Sequence, residues 1–126
     1  MTTSAITVRG LGSAGTGTQH HIRQRVTALA LIFLVPWFVY SIIVACKAGY
    51  EGALTWAAQP VNAILLILTL SAALYHMRLG IQVVIEDYIA KSGTRQALLI
   101  LNTFAVFGLA VATILSVLKI WFTAGA

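Results

Sequence analysis

The stretch YHMRLGIQVVIEDY, from Tyr75 to Tyr88, carries polar groups at the end of a long apolar segment. Such groups are costly in a lipid-spanning helix and therefore indicate function. At 3.6 residues per helical turn, His76 and Asp87 lie within about 20° of each other on one face and about 16 Å apart along the axis. Gly80 falls on the same face. The stretch therefore predicts a membrane helix with a histidine at depth and acids at its end.

The composition of the whole chain is that of a membrane protein. Of its 126 residues, 60% are hydrophobic and only 9% are charged. Uncharged runs cover residues 26–46, 52–77 and 96–118, and each is long enough to cross a hydrocarbon core that needs about 20 helical residues. A transmembrane barrel would alternate apolar and polar residues, which these runs do not do. We therefore predict an all-α membrane protein with three transmembrane helices.

The expected organisation is one membrane domain, residues 20–126, preceded by a flexible arm. The arm, residues 1–19, is rich in Gly, Ser and Thr and has no apolar core of the kind a secretory signal needs. We expect helices at about 22–47, 60–90 and 95–122. A short outer loop joins the first two, with Trp56 at the membrane interface and Pro60 in the first turn of the second helix.

The basic residues predict the orientation of the helices. They concentrate before the first span and between the second and third spans. An excess of Lys and Arg marks the cytoplasmic side of a membrane protein. This bias places the N-terminus and the second loop in the cytoplasm or mitochondrial matrix, and the C-terminus outside. The membrane is then a bacterial cytoplasmic membrane or a mitochondrial inner membrane, and the absence of a convincing transit peptide favours the bacterial one. The basic residues on the two sides are Arg9, Arg23, Arg25, Lys91 and Arg95, against Lys47 and Lys119.

His76 lies near the bilayer centre, about 18 Å from Tyr88 along the helix. It could hydrogen-bond a neighbouring helix, or it could be an axial ligand of a haem iron. Gly80, one turn further, leaves room for a flat macrocycle, although glycine also permits close helix packing. His20 and His21 lie at the membrane edge, so a second axial imidazole has to come from another polypeptide.

Two polar clusters lie at the predicted cytoplasmic rim. The first, Glu86 to Tyr88, fits either a solvated helix end with an interfacial tyrosine or a pocket for a quinone headgroup. The second cluster, at the start of the first predicted helix, contains two histidines with Arg23 and Arg25. It fits either anchoring in the headgroups or a site for carboxylates such as haem propionates.

Arg78 points about 200° away from His76, toward another helix or toward lipid. A charge at that depth is expensive, so we expect it to pair with a polar group or to extend to the interface. The third helix is read as a scaffold whose polar side chains join helices by hydrogen bonds. Those side chains are Asn102, Thr103, Thr113 and Ser116.

The spacing H-x3-G-x6-D-Y, formed by His76, Gly80, Asp87 and Tyr88, resembles the hydrophobic membrane-anchor D subunit of succinate dehydrogenase, respiratory complex II. The segment Arg25-Val26-Thr27-Ala28 is similar to that family's R-x-T-A motif. The resemblance extends over about residues 20–122.

The resemblance implies a role for each matched residue. His76 is expected to be one axial ligand of a b-type haem, with Gly80 beside it and the other ligand in a C-type cytochrome b anchor subunit. Arg25 is expected near the haem propionates, with His21 at the same edge. Tyr88 is expected to hydrogen-bond a ubiquinone carbonyl, and Asp87 to organise or protonate that site.

The same resemblance assigns succinate oxidation to other chains, a flavoprotein with FAD and an iron-sulfur protein with its clusters. The single cysteine, Cys46, cannot hold such a cluster. This chain is thus expected to be an enzyme subunit without a complete active site. The alternatives are an anchor of a related fumarate reductase, or a haem-free small transporter or structural protein. A transporter normally has an acid within a span, whereas the three acids here lie at helix ends or in a loop.

Overall fold

The computed structural model describes residues 14–124, and within that range the secondary structure is helical throughout. Three of the helices are long and apolar enough to span a membrane, which confirms the predicted fold class. The helices are α1 (Ala14–Lys47), α2 (Gly49–Ala58), α3 (Pro60–Tyr88) and α4 (Ser92–Ala124).

The first span begins earlier than predicted. Helix α1 starts at Ala14, so residues 14–19 of the expected arm are helical, while residues 1–13 lie outside the described residues. Glycine and serine suggested an arm, but the segment from Ala14 to His20 contains no proline. Because adding a residue to an existing helix is far easier than nucleating one, α1 extends outward beyond its apolar part.

The expected loop between the first two spans is instead the ten-residue helix α2. Gly49 begins it with a φ of +77°, a left-handed conformation that glycine adopts without a Cβ clash and that ends α1 sharply. The indole of Trp56 stacks on that of Trp37 of α1, with ring centroids 6.1 Å apart. Trp56 is half-buried and packs on the core, so it contributes to helix packing, which the sequence analysis had not predicted.

Helix α3 lies between the other two spans. It packs along α1 on one side and α4 on the other, and no Cα atom of α1 lies within 8 Å of one of α4 among the described residues. Helix α2 contacts all three. A core forms where α2 meets the spans, and small alanines there allow close approach of the helices. Its buried residues are Ala57, Ala63, Leu66 and Val117.

Most of the apolar surface of the spans is exposed on this chain. Only 11 to 17% of the residues in the most apolar stretch of each span are buried inside it. Phe33 is 78% exposed and Phe104 is 70% exposed. Apolar surface of this extent requires lipid chains or apolar partner subunits around it.

Candidate functional site

His76 is a half-buried side chain on α3 that faces α1. Its Nδ1 lies 3.0 Å from the hydroxyl oxygen of Thr27, a residue 49 positions earlier in the chain. The hydroxyl also lies 2.9 Å from the carbonyl oxygen of Arg23 and 3.0 Å from that of Gln24. This contact joins the predicted iron ligand to the segment Arg25 to Ala28.

Gly80 also faces α1. A Cβ atom placed on it would lie 3.9 Å from Nε2 of Gln24, an ordinary van der Waals distance. The helix therefore does not need glycine there to avoid a clash within this chain. Gln24 borders the surface beside Gly80, and the sequence analysis had not singled it out.

His21 and Arg25, one turn apart on α1, line the same cavity of about 300 Å³. The chain's acids are Glu51, Glu86 and Asp87, and none of them lines this cavity. The rest of the lining is Gln24 and the apolar residues Ala28, Leu29 and Ile32. The two basic side chains are thus placed together beside an apolar wall, an arrangement suited to an amphiphilic anion.

His20 faces a different direction from His21. It lines two polar cavities against α3, of about 280 and 290 Å³, and Gln82 borders both. Its Nε2 atom and Oε1 of Gln24 are buried without a hydrogen-bond partner in the described part of the chain. Since buried polar atoms are normally paired, the described part of this chain leaves two polar atoms unsatisfied where the start of α1 packs on α3.

Asp87 and Tyr88 are the last two residues of α3, and both are exposed. The Tyr88 side chain is 81% exposed. Glu86 differs from them because its carboxylate accepts a hydrogen bond of 2.9 Å from Nε2 of Gln82. The end of α3 therefore presents a phenol and a carboxylate outward, while the neighbouring acid is held along the helix.

Arg95 fixes the turn that follows Tyr88. Its Nε donates to the carbonyl oxygen of Ile89 at 3.0 Å, and one terminal nitrogen donates to that of Ala90, also at 3.0 Å. These bonds satisfy backbone acceptors beyond the end of α3. The sequence analysis had used Arg95 only as a topological charge, so this structural role was missed.

Replacing Arg95 by alanine is expected to destabilise this turn by about 2 kcal/mol, since hydrogen bonds to charged groups contribute about 1.5–3 kcal/mol. Because Asp87 and Tyr88 directly precede the turn, the end of α3 should also become more mobile. The measurements are the thermal unfolding midpoint of the purified protein and amide hydrogen exchange at the end of α3. Lys91→Ala removes a charge from the same turn and serves as the control. Equal effects of both variants would show that charge, rather than the two hydrogen bonds, matters.

Arg78 joins α3 to α4. A terminal nitrogen of its side chain donates to the Thr103 hydroxyl at 3.3 Å, and its backbone carbonyl accepts from Nδ2 of the buried Asn102 at 3.0 Å. The prediction that Arg78 pairs with a polar group is confirmed. The scaffold role of α4 is confirmed for Asn102 and Thr103, whereas the hydroxyls of Thr113 and Ser116 donate to carbonyls of their own helix.

The chain has three apolar spans. A histidine on the central span is within hydrogen-bond distance of a threonine on the first, and the central span ends in polar residues. These features define a multi-pass membrane subunit. The model of the succinate dehydrogenase/fumarate reductase transmembrane subunit family matches residues 2–123, and the chain belongs to this family.

Relatives of the chain are named as anchors of succinate dehydrogenase. It is 36% identical over 96 residues to the succinate dehydrogenase hydrophobic membrane anchor subunit of Rickettsia bellii (strain RML369-C), over 75% of this chain and 76% of the relative. It is 36% identical over 102 residues to the subunit of the same name from Paracoccus denitrificans, over 81% of this chain and 77% of the relative. No solved structure matches the chain significantly. The similarity covers about three quarters of each relative, so it extends beyond any single helix.

Proposed function

We propose that this chain is the hydrophobic membrane anchor of a succinate:quinone oxidoreductase, sharing a b-type haem with a second anchor subunit and contributing to the ubiquinone-reduction site. The observation that carries the proposal is the arrangement on α3. One helix bears the half-buried His76, hydrogen-bonded to α1, and ends in the exposed pair Asp87 and Tyr88. Family membership supports the same assignment.

The residues of α1 and α3 fit a haem. His76 has Nδ1 engaged by Thr27, so Nε2 is the nitrogen available to iron. Arg25 offers positive charge and His21 a hydrogen-bond donor to propionates, and Gly80 has no side chain on the surface of α3 that faces α1. A bound b-type haem supplies a one-electron carrier within the membrane, and the protein tunes it through the axial ligand and its hydrogen bonds.

At the other site, the end of α3 acts on the quinone. Reducing a quinone to a quinol takes two electrons and two protons. The electrons come from the iron-sulfur subunit, which receives them from the flavoprotein that oxidises succinate. The Tyr88 hydroxyl donates a hydrogen bond to a quinone carbonyl oxygen and polarises it, and the Asp87 carboxylate passes protons from the aqueous side. Both side chains are exposed at the helix end, as this role requires.

The orientation proposed from the basic residues places this site on the side of the soluble subunits. Arg23, Arg25, Lys91 and Arg95 then lie at the cytoplasmic or matrix face, where the iron-sulfur and flavoprotein subunits dock. The chain resides in a bacterial cytoplasmic membrane or a mitochondrial inner membrane, with its C-terminus outside.

Purification of the affinity-tagged chain in mild detergent tests this function. We expect a flavoprotein, an iron-sulfur protein and a second anchor subunit to co-purify, with a b-type absorption spectrum and succinate:ubiquinone activity above menaquinol:fumarate activity. The reverse ratio of activities would identify a fumarate reductase anchor. Recovery of the chain without haem and without soluble subunits would contradict the proposal.

A further inference from the structure

The hydroxyl of Thr27 has one proton and three close polar neighbours. These are the carbonyl oxygens of Arg23 at 2.9 Å and Gln24 at 3.0 Å, and Nδ1 of His76 at 3.0 Å. The neutral imidazole carries its proton on one of two nitrogens. The positions of these protons follow from which arrangement satisfies more of the groups.

Two arrangements are possible. If the hydroxyl donates to Nδ1 of His76, the proton of the imidazole is on Nε2, and the Thr27 oxygen faces two carbonyl oxygens at 3.0 Å or less without a proton between them. If the hydroxyl instead donates to a carbonyl, its oxygen accepts a proton from Nδ1 of His76. The second arrangement makes two hydrogen bonds where the first makes one. Since unpaired polar groups are costly away from water, the second is favoured.

The favoured arrangement leaves Nε2 of His76 unprotonated. That nitrogen has a lone pair for a metal, as an axial imidazole requires. The contact also fixes the rotation of the ring, because Thr27 is held by the backbone of α1 while His76 belongs to α3. In metal sites, such a partner on the non-ligating nitrogen sets the tautomer and raises the basicity of the ligand.

We infer that Thr27 is the positioning residue for the axial histidine: its hydroxyl holds His76 as the Nδ1-protonated tautomer and directs Nε2 to the iron. This inference rests on the proposed function, in which His76 is the ligand. It also gives α1 two roles toward one cofactor. Arg25 meets the carboxylates at the edge, and Thr27, two residues later, orients the ligand.

The test compares hydroxyl-free and hydroxyl-retaining variants in the purified complex. Thr27→Val keeps the shape of the side chain and removes the hydroxyl, and Thr27→Ser keeps the hydroxyl. Thr113→Val is the matched control, because Thr113 is also half-buried but its hydroxyl donates only to a carbonyl of its own helix. The readouts are haem retained per complex during dilution, the ferric electron paramagnetic resonance spectrum and the midpoint potential of the haem.

We expect Thr27→Val to weaken haem retention by about 10- to 100-fold, the range for lost partners of metal ligands. Its resonance spectrum should broaden as the ring becomes free to rotate. Its midpoint potential should shift upward, because a less basic imidazole stabilises ferric iron less. Thr27→Ser and Thr113→Val should match the parent complex in all three measurements. Thr27→Ala supplies a smaller hydroxyl-free side chain if the valine variant does not assemble.

Two failures are distinguishable. If His76→Ala loses the haem but Thr27→Val and Thr27→Ala keep the parent potential and retention, the positioning role is overturned and the ligand assignment stands. If His76→Ala itself keeps the haem and its spectrum, the ligand assignment is wrong, and the positioning role of Thr27 is wrong as well. A serine variant that behaves like the valine variant also overturns the inference, since the hydroxyl would then not be the decisive group.

Discussion

The His76→Ala complex is expected to lose the reduced-minus-oxidised signal of its b-type haem, with haem retention at least about tenfold lower than in the parent. The physical reason is that alanine removes one of the two proposed axial ligands and leaves the hydroxyl of Thr27 without its imidazole partner. Absorption difference spectra of the purified complex, normalised to protein, measure the effect.

His20→Gln is the control for the loss of a histidine near α1. His20 lies against Gln82 on the side of α1 that faces α3, away from the cavity of His21 and Arg25. Its removal should leave the haem spectrum in place. A normal spectrum in the His76→Ala complex would show that His76 is only a hydrogen-bonding residue between α1 and α3.

Tyr88→Phe is expected to lower succinate:quinone turnover by about 100-fold, at the lower end of the range for a positioned proton donor. Phenylalanine keeps the ring at the end of α3 but has no hydroxyl to donate to the quinone carbonyl. Electron transfer from succinate to a water-soluble dye should be unchanged, because the soluble subunits reduce the dye. The two assays on one preparation therefore separate the quinone site from succinate oxidation.

Tyr50→Phe is the matched control for this loss. Tyr50 is 77% exposed, close to the 81% of Tyr88, but it lies on α2, between the other ends of α1 and α3. The succinate:quinone turnover of the Tyr50→Phe complex should equal that of the parent complex. If Tyr88→Phe also equals the parent in turnover and in quinone affinity, Tyr88 is an interfacial anchor and the quinone site lies elsewhere.

The three spans could be predicted from composition because each is a long uncharged run, and a bilayer admits few other structures. Helix α2 could not. Its ten residues include Gly49 and Gly52, which are typical of loops, and its packing depends on a left-handed turn that no periodicity reveals. Trp56 was therefore placed only at the interface, whereas it also stacks on a tryptophan from α1.

The sequence suggests candidate site residues along one helix, but it does not predict their contacts with other helices. His76 was proposed from its expected depth in the membrane, yet its contact with Thr27 depends on how α1 is rotated and shifted against α3. Adjacent residues are about 100° apart around a helix, and the same rotation decides that His20 rather than His21 faces α3. Arg95 was missed for a related reason, because its acceptors are carbonyls exposed only once the turn has its conformation.

The central place of α3 also constrains which substitutions can be combined. Since no Cα atom of α1 lies within 8 Å of one of α4 in the described residues, a change on one flank reaches the other mainly through α3 or the short α2. Effects of substitutions at distant sites without shared partners usually add. Substitutions on the two flanking helices should therefore combine additively in their effect on stability, whereas a substitution on α3 has to be compatible with both neighbours.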